Sequence, residues 1–235
     1  MKIGISNQKF VNFNVEHNLN VICNTLHKNS DCDFILFGEA FLHGFDGLKW
    51  SLEDDLKIAL KQDSMYIHQL QKTCLKSKTA LGFGYFEQYL GNIYCSYMIV
   101  NKHGEIIYNY RRQSVGWKIP NMPAQYKEGT DLGSFKLEGV TFDILLCGDG
   151  YTDYVINKHH HKNHILLWPL YVNMNIYEHI AEYVEIASER FNTALIINSL
   201  SDEPKAIGGS FVVSNNEVLC QTVEDNESVL KVVIE

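Results

Sequence analysis

Three segments of the sequence carry side chains that together could perform covalent catalysis. Glu39 follows one apolar run, and Cys147 ends another. The run EIIYNY is followed directly by Arg111 and Arg112, and Lys118 comes six residues after Arg112. A thiol attacks as a thiolate, and a neighbouring cation lowers its pKa. A carboxylate can accept the thiol proton and later activate water, while a cation and backbone N–H groups can bind an oxyanion. The segments therefore predict a cysteine-dependent acyl-transfer site that needs no histidine.

The elements that would position these residues follow from the pattern of apolar side chains. Short apolar runs predict strands, and apolar residues at helical spacing predict helices, here over Val15 to Leu26 and over Ile176 to Phe191. Functional groups cluster at the carboxyl ends of parallel strands, which is where Glu39 and Cys147 lie. The predicted strands of the core cover residues 2–5, 33–37, 79–88, 140–147, 164–170 and 193–199.

Two hairpins should add antiparallel strands to this core. The runs NIYCSYMIV and EIIYNY flank NKHG, and GGSFVV and EVLCQTV flank SNN. The two halves of the chain have a similar order of elements, so we expect an α/β (α+β) fold with two sheets, helices outside them, and one domain over residues 1–235. Residues 113–133 form the longest irregular segment, and loops of that length are often functional.

One further helix is predicted after residue 50. Ser51 and Asp54 have the spacing of a capping box. Apolar residues then recur at helical spacing and indicate one amphipathic helix, which would carry Leu56, Leu60, Ile67 and Leu70.

Composition excludes several classes of protein. The chain has 235 residues, of which 46% are hydrophobic and 20% are charged, so it can bury a full core. A net charge of −8 argues against a nucleic-acid binder, which would need a basic face. Apolar runs are too short to span a membrane, and the first ten residues lack a signal-peptide pattern. We therefore expect a cytoplasmic protein whose six cysteines are reduced, because a cytosolic chain of this size does not need disulfides. No cysteine pair has CxxC spacing, so neither a zinc knuckle nor a redox dithiol is indicated.

An ordered set of motifs resembles the nitrilase superfamily, the carbon–nitrogen hydrolases. The matching pieces are FGEAFLHGF, GFGYFEQYLGNIYCSYMIVNKHGEIIYNYRR, LLCGDG, ILLWPL, ASERFNTALIINS and GGSFVVSNNEVL, in this order over nearly the whole chain. The resemblance implies a four-layer α-β-β-α sandwich, commonly assembled as a homodimer through its helix layer. It also implies hydrolysis of non-peptide carbon–nitrogen bonds in a small linear amide or carbamoyl compound, with no cofactor.

The resemblance also assigns roles to individual residues. Glu39 would be the general base and Cys147 the nucleophile. Asp149 matches the acid of the family motif ICYD and could also simply cap the helix that follows. Glu189 and Asn198 would support the structure rather than take part in the chemistry.

Two positions depart from the family pattern. Where the family has the lysine of YRK, this chain has Arg112, and arginine is a planar fork rather than a compact ammonium. Lys118, six residues on, is the alternative cation, and the sequence does not decide between the two. The family often has a further glutamate at the position of Met122. Both departures favour, as an alternative, a non-hydrolytic member of the fold that binds a small amide or acts as a partner subunit.

Simpler interpretations exist for the same residues. A cysteine at a strand end usually packs in a core, and an isolated glutamate after a strand is usually solvated. Only the combination of Glu39, Arg112 and Cys147 favours catalysis over these interpretations. Cys95, inside a predicted strand, is expected to be a packing residue.

The run HHHKNH over residues 159–164 invites a metal interpretation, since imidazole is a common ligand of zinc, copper and nickel. Adjacent histidines point in different directions, and no other ligand cluster is evident. We therefore expect a solvated loop and no metal. A phosphatase or metallohydrolase that uses Glu39, Asp149 and the histidines is the third hypothesis, but no P-loop or HExxH motif supports it.

Overall fold

Two six-stranded sheets form the centre of the protein. The structure, a computed structural model, describes residues 1–159 and 161–234. In the first sheet the spatial order is β14-β1-β2-β3-β4-β5, with β1 to β3 parallel and the other pairs antiparallel. Its strands are β1 (Lys2–Asn7), β2 (Phe34–Leu36), β3 (Ala80–Tyr89), β4 (Asn92–Val100), β5 (Ile106–Arg111) and β14 (Ser228–Val233).

The second sheet repeats this arrangement. Its order is β13-β12-β9-β8-β7-β6, with β7, β8 and β9 parallel. A separate two-stranded sheet pairs β10 (Leu200–Ser201) with β11 (Ala206–Ile207). The strands of the second large sheet are β6 (Ser134–Leu137), β7 (Val140–Ile144), β8 (Ile165–Pro169), β9 (Thr193–Ile197), β12 (Phe211–Ser214) and β13 (Glu217–Gln221).

Helices cover the outer face of each sheet. The first sheet carries α1 (Val15–Lys28) and α3 (Met65–Ser77), whose buried residues pack with the outward side chains of β2 and β3. The second sheet carries α5 (Ile180–Ser188), which packs on β8, β9 and β12. The short helices α2 (Leu52–Ile58) and α4 (Asp153–Ile156) lie in connections.

The largest apolar core lies between the two sheets. It contains inward-facing residues of both, such as Ile5 and Leu36 from the first sheet and Phe142, Leu167 and Ile197 from the second. The order of layers is therefore helix, sheet, sheet, helix, as expected. This stacking places the carboxyl ends of β2 and β7 where Glu39 and Cys147 can meet.

The predicted single helix after residue 50 is wrong. The chain forms α2 and α3 instead, and Ala59 between them has extended backbone angles. Leu60 instead forms a β-bridge with β3. Its N–H donates to the Phe86 carbonyl at 2.9 Å, and its carbonyl accepts from the Gln88 N–H at 2.9 Å. Pairing with the sheet thus overrides helical spacing. The capping box is also absent, because the Ser51 side chain makes no cap hydrogen bond.

The six predicted strands of the core all form. Both predicted hairpins form, and no strand crosses residues 113–133, where only Val115–Trp117 form a short 3-10 turn. Strand β6 was not predicted, and it pairs with β7 as an antiparallel edge. Within the described residues no helix is both long and apolar enough to span a membrane.

Candidate active site

Glu39 lies just beyond β2 and is fully buried. Its backbone N–H donates to the Leu170 carbonyl at 3.0 Å, which joins the two sheets at this point. The next residue, Ala40, has a φ of 49°, and an added Cβ at Gly84 would lie 2.2 Å from its nitrogen. Gly84 therefore allows β3 to approach closely enough to hold the glutamate in a strained turn.

Arg112 directly follows β5 and has an exposed fraction of only 4%. Its backbone N–H donates to the Cys95 carbonyl at 2.9 Å, and its carbonyl accepts from the Gly129 N–H at 2.8 Å. In the side chain, Nη1 donates to Oε1 of Glu39 at 2.7 Å and Nε donates to the Ser114 hydroxyl at 2.7 Å. The guanidinium is thus fixed as part of a buried ion pair with Glu39.

The two oxygens of Glu39 have different surroundings. Oε1 accepts from Arg112 and also from the Cys95 thiol, at 3.4 Å. Oε2 is buried, and no described residue forms a hydrogen bond with it. A buried carboxylate oxygen without a partner is costly, which makes it a candidate for a functional contact. One oxygen is held in place and the other is available.

Cys147 begins a 3-10 turn, Cys147–Tyr151, at the carboxyl end of β7. Its φ of 48° lies in the left-handed region, which non-glycine residues rarely adopt. The Nε1–H of Trp168 donates to the Cys147 carbonyl at 2.8 Å and helps to hold this conformation. The thiol is partly accessible and its Sγ lies 4.0 Å from the Tyr171 carbonyl oxygen. Such strain at a side chain that could react is typical of functional sites.

The Arg112 guanidinium lies against the residue that follows the cysteine. A Cβ added at Gly148 would come within 2.5 Å of Nη2 of Arg112. Glycine is therefore needed here so that the cation can sit beside the Cys147 turn. Nε of Arg112 is bound to Ser114 and Nη1 to Glu39. The third nitrogen, Nη2, lies next to Gly148.

The electrostatics of Cys147 follow from this arrangement. Burial and then the Glu39 carboxylate raise the pKa of Cys147 to about 12, while Arg112 acts in the lowering direction. Burial lowers the pKa of Arg112, but the opposite charges around it, first among them that of Glu39, raise the pKa by more, so the net shift is upward. At neutral pH the cysteine is therefore a thiol next to a carboxylate, and it requires a base to react.

Asp149 links two of the segments that form the site. Its Oδ1 accepts from the backbone N–H groups of Gln113 and Ser114, at 3.1 and 2.7 Å. Its Oδ2 accepts from the Tyr110 hydroxyl at 2.8 Å and from the Leu146 N–H at 3.1 Å. The carboxylate thus ties the segment after β5 to the turn that carries Cys147, which is a positioning role.

Lys118 lies elsewhere. Its ammonium pairs with Glu128 at 2.6 Å and donates to the Tyr126 carbonyl at 2.6 Å. Met122, at the other position that departs from the family, is partly buried and packs against the core between the sheets. Of the two candidate cations, the structure brings Arg112 to Glu39 and keeps Lys118 in an ion pair of the 113–133 segment.

The two predicted supporting residues differ. Asn198 is fully buried, accepts from the Val172 N–H at 3.2 Å, and donates to the carbonyls of Val172 and Gly208. It therefore joins the end of β9 to the loops after β8 and β11, which is a structural role, as predicted. The prediction for Glu189 is wrong: its side chain is 59% exposed and pairs with its neighbour Arg190, because it lies at the end of α5 on the outer surface.

Sequence reasoning missed three neighbours of the site. Cys95 does pack in the core, yet its thiol also contacts Glu39. The alternation of β4 places it on the face of Ile93 and Tyr97, between the sheets, and could have indicated this position. Ser114 and Trp168 gave no signal, because their contacts to Arg112 and Cys147 form only in the folded chain.

The histidine run is not the solvated loop that we expected. His159 is fully buried, with Nδ1 3.0 Å from Oδ2 of Asp143. His164 Nδ1 lies 3.0 Å from Oδ1 of the same carboxylate. The expectation failed because Asp143 lies far back in the sequence, on β7. His160 lies outside the described residues.

Comparison with known proteins agrees with this geometry. The family model described as carbon-nitrogen hydrolase matches residues 3–167, which is well over half of the chain. That range includes Glu39, Arg112 and Cys147. A search of curated proteins gives no match.

The fold matches solved structures of an amidase from Nesterenkonia sp. AN1. That amidase has a TM-score of 0.83 and 16% identity, over 100% of this chain and 93% of its own. A variant of it with glutamate replaced by glutamine, which carries acrylamide added at the active-site cysteine, matches equally well. Its structure with butyramide, in a variant without the cysteine, has a TM-score of 0.80, 16% identity, and coverage of 99% and 90%.

The family match favours a carbon–nitrogen hydrolase over the phosphatase or metallohydrolase of the third hypothesis. Two sheets flanked by helices, with a cysteine and a glutamate at adjoining strand ends, agree with it. The chain belongs to the carbon–nitrogen hydrolase family and has the fold of the nitrilase-superfamily amidases.

Proposed function

We propose that the protein hydrolyses a small linear amide or carbamoyl compound through a thioester on Cys147. The observation that carries this proposal is the asymmetry of Glu39. Its Oε1 is fixed by Arg112 and Cys95, and its buried Oε2 has no partner among the described residues. A general base needs this combination of fixed orientation and one free lone pair.

The first half of the reaction forms the acyl-enzyme. Glu39 Oε2 accepts the Cys147 proton as Sγ attacks the carbonyl carbon of the amide. The resulting oxyanion is bound by Arg112 and by backbone N–H groups after Cys147. When the tetrahedral intermediate collapses, Glu39 returns the proton to the nitrogen, the carbon–nitrogen bond breaks, and ammonia or an amine leaves.

The second half releases the acid. Glu39 takes a proton from water as the water oxygen attacks the thioester carbon. The carbon–sulfur bond then breaks and the proton passes to Sγ, which restores the thiol. Because the pKa of Cys147 is raised to about 12, the proton transfer accompanies attack instead of preceding it.

The solved amidase supports this choice of substrate class. Its solved structures include a complex with butyramide and one with the acetamide moiety of fluoroacetamide added covalently at the active-site cysteine. Both are small linear amides. The proposal extends this class to the present chain on the basis of its family and of the Glu39–Arg112–Cys147 geometry.

We assign the cation of the site to Arg112. Its Nη1 binds Glu39 and its Nη2 lies over Gly148, whereas Lys118 is paired with Glu128. Arginine at a lysine position motivates one rival: a protein of this fold that binds a small amide without turning it over.

The test is a screen of small amides, carbamoyl compounds and nitriles for ammonia release. We expect release by the native protein and a loss of at least about 10³-fold in Cys147→Ala, since removing a covalent nucleophile costs far more than removing one hydrogen bond. Release that Cys147→Ala leaves undiminished would contradict the proposal. Binding of an amide without release by the native protein would favour the non-hydrolytic rival.

We further propose that residues 1–235 act as one carbon–nitrogen hydrolase domain and assemble as a homodimer. The shared core between the sheets supports the first statement, and the resemblance to the family supports the second. Light scattering of the purified protein measures the dimer directly, and a monomer at micromolar concentration would contradict it. Cytoplasmic location stays a prediction from the sequence.

A further inference from the structure

A second cluster of chemically active side chains joins one residue of β7 to the segment just before β8. We propose that Asp143, His161 and His164 bind one divalent transition-metal ion of the zinc class. The ligand atoms of these three side chains all lie within 4.8 Å of one another. This site is independent of the proposed amide hydrolysis.

The sheet register explains why Asp143 and His164 meet. Asp143 lies between Phe142 and Ile144, which face the core between the sheets, so its side chain faces the opposite side of β7. β8 runs parallel to β7 with Leu166 opposite Asp143. His164, two residues before Leu166, therefore lies on the same face as Asp143 and diagonal to it. The observed separation of Asp143 Oδ1 and His164 Nδ1 is 3.0 Å.

A tight turn adds the third ligand. The His164 N–H donates to the His161 carbonyl at 2.9 Å, which closes residues 161–164 into a turn. The two imidazole rings consequently stack, with centroids 4.4 Å apart and planes 25° from parallel. Both rings are partly exposed, so small rotations can adjust their nitrogens around an ion.

The separation of the ligand atoms suits a metal of this class. Zinc binds imidazole nitrogen and carboxylate oxygen at about 2.0–2.2 Å, so neighbouring ligands lie about 3–3.5 Å apart. The Asp143–His164 pair already has this spacing, and only His161 needs to move closer. Two imidazoles with one carboxylate favour zinc, nickel, cobalt or copper over magnesium and calcium, which prefer oxygen ligands.

The surroundings fix the carboxylate: the Ser134 hydroxyl donates to Oδ1, the oxygen that lies beside His164. His159, fully buried, holds Oδ2 of Asp143 at 3.0 Å, which is the kind of outer-shell contact that orients a metal ligand. The two nearest lysines in the sequence point elsewhere: Lys158 donates to Gln113 Oε1 at 2.7 Å and Lys162 to the Ser188 carbonyl at 2.6 Å. A dication would therefore meet a carboxylate and two imidazoles.

A bound ion would link β7 to the segment that leads from the Cys147 turn to β8. Residues 157–159 and 161–164 otherwise lie in short turns and irregular chain between these elements. An ion that binds only the folded chain stabilises it. We therefore expect zinc to raise the melting temperature without reaching the catalytic thiol.

The experiment is calorimetric titration of zinc into the Cys147→Ala protein, which lacks the competing thiol. We expect one equivalent to bind and expect His161→Ala and His164→Ala each to weaken binding by at least about tenfold, as loss of even an outer-shell partner does. The matched control is His103→Ala, because His103 is an exposed histidine in another turn. This control should bind zinc like its parent.

Two results would overturn the proposal: no binding of zinc to Cys147→Ala, or affinity that neither histidine variant lowers. The second result would indicate adventitious sites elsewhere. Because Asp143→Asn disturbs a buried network, the two partly exposed histidines provide the decisive variants. A cobalt spectrum without thiolate-to-metal bands is also expected, and strong bands of that kind would assign the metal to cysteine instead.

Discussion

At the scale of residues, the site combines a protonated cysteine in a strained backbone conformation with a glutamate. Only one oxygen of that glutamate accepts hydrogen bonds from described residues. The φ of 48° at Cys147 is a cost in a residue that only packs. Glu39 Oε2, buried and without a partner among the described residues, is a second cost. Two such costs in neighbouring groups are best explained by a reaction that uses both.

Glu39→Gln should separate turnover from thiol reactivity. Loss of the base should lower amide hydrolysis by about 10²–10⁴-fold. The same change removes the carboxylate that raises the pKa of Cys147 and leaves Arg112, which lowers it. Alkylation of Cys147 by iodoacetamide should therefore reach half of its maximal rate at a lower pH than in the native protein.

Mass spectrometry of the alkylated peptides gives this profile, with the partly exposed Cys220 as an internal reference. An unchanged or higher midpoint pH in Glu39→Gln would show that Glu39 does not act on Cys147. In the native protein the rate should still be rising at pH 10, because the pKa is about 12.

Replacing each candidate cation should identify the one that serves the site. Arg112→Met should lower turnover by at least about 100-fold, as the loss of an oxyanion donor does. It should also lower the free energy of unfolding by about 3–5 kcal/mol, because it leaves Glu39 buried without its partner. Arg112→Lys should lose less, since an ammonium can keep the charge but not the contacts to both Glu39 and Ser114.

Lys118→Met provides the comparison. Its ion-pair partner Glu128 lies in the same 113–133 segment, so the loss of turnover should be smaller than in Arg112→Met. Denaturant unfolding and steady-state kinetics measure both effects. A larger loss of turnover in Lys118→Met than in Arg112→Met would make Lys118 the catalytic cation.

At the scale of elements, the site depends on how β2, β5 and β7 end. Asp149 joins two of these ends, because it accepts hydrogen bonds from Ser114 and Gln113 after β5 and from Leu146 after β7. The Arg112 guanidinium in turn depends on Ser114. A change at Asp149 should therefore affect both stability and rate.

Asp149→Asn should lower the free energy of unfolding by about 2–3 kcal/mol, because an amide can replace only part of a carboxylate that accepts four hydrogen bonds. Its kcat should fall as well, since Ser114 and Arg112 lose their support. The matched control is Asp153→Asn, four residues on, where the side chain is exposed. Equal effects of the two substitutions would contradict the positioning role of Asp149.

The elements also show what sequence patterns could and could not predict. Glu39 and Cys147 follow apolar runs, so their placement at strand ends was predictable. The break between α2 and α3 was not, because Leu60 fits a helical pattern and only the approach of β3 gives it a better partner. Likewise, nothing in HHHKNH indicates Asp143, which reaches the histidines through the pairing of β7 with β8.

At the scale of the whole molecule, the two sheets share one core, and buried polar groups must be satisfied within it. His43 is fully buried and uses both ring nitrogens. Because the Phe86 N–H donates to Nδ1, the ring proton lies on Nε2, which donates to the Ile58 carbonyl at 3.2 Å. A second proton has no acceptor there, and burial lowers the pKa of His43 to about 4.

This histidine should make stability depend on pH. His43 binds a proton near pH 6.5 in the unfolded chain and only near pH 4 in the folded chain. The stabilisation of the folded state by neutral His43 is therefore complete above pH 6.5 and is lost as the pH falls toward 4. The loss amounts to about 3 kcal/mol over this range. In His43→Gln the free energy of unfolding should change less between these pH values, as measured by urea denaturation. An equal dependence would show that other groups cause it.

The central claim is that Cys147 forms a covalent acyl intermediate with an amide. The most direct measurement is the intact mass of the protein after brief reaction with a turned-over amide and an acid quench, followed by peptide mapping. We expect an added mass equal to the amide minus ammonia, located on the peptide of Cys147 and absent from Cys147→Ala. Turnover with no adduct, or with an adduct on another residue, would contradict it.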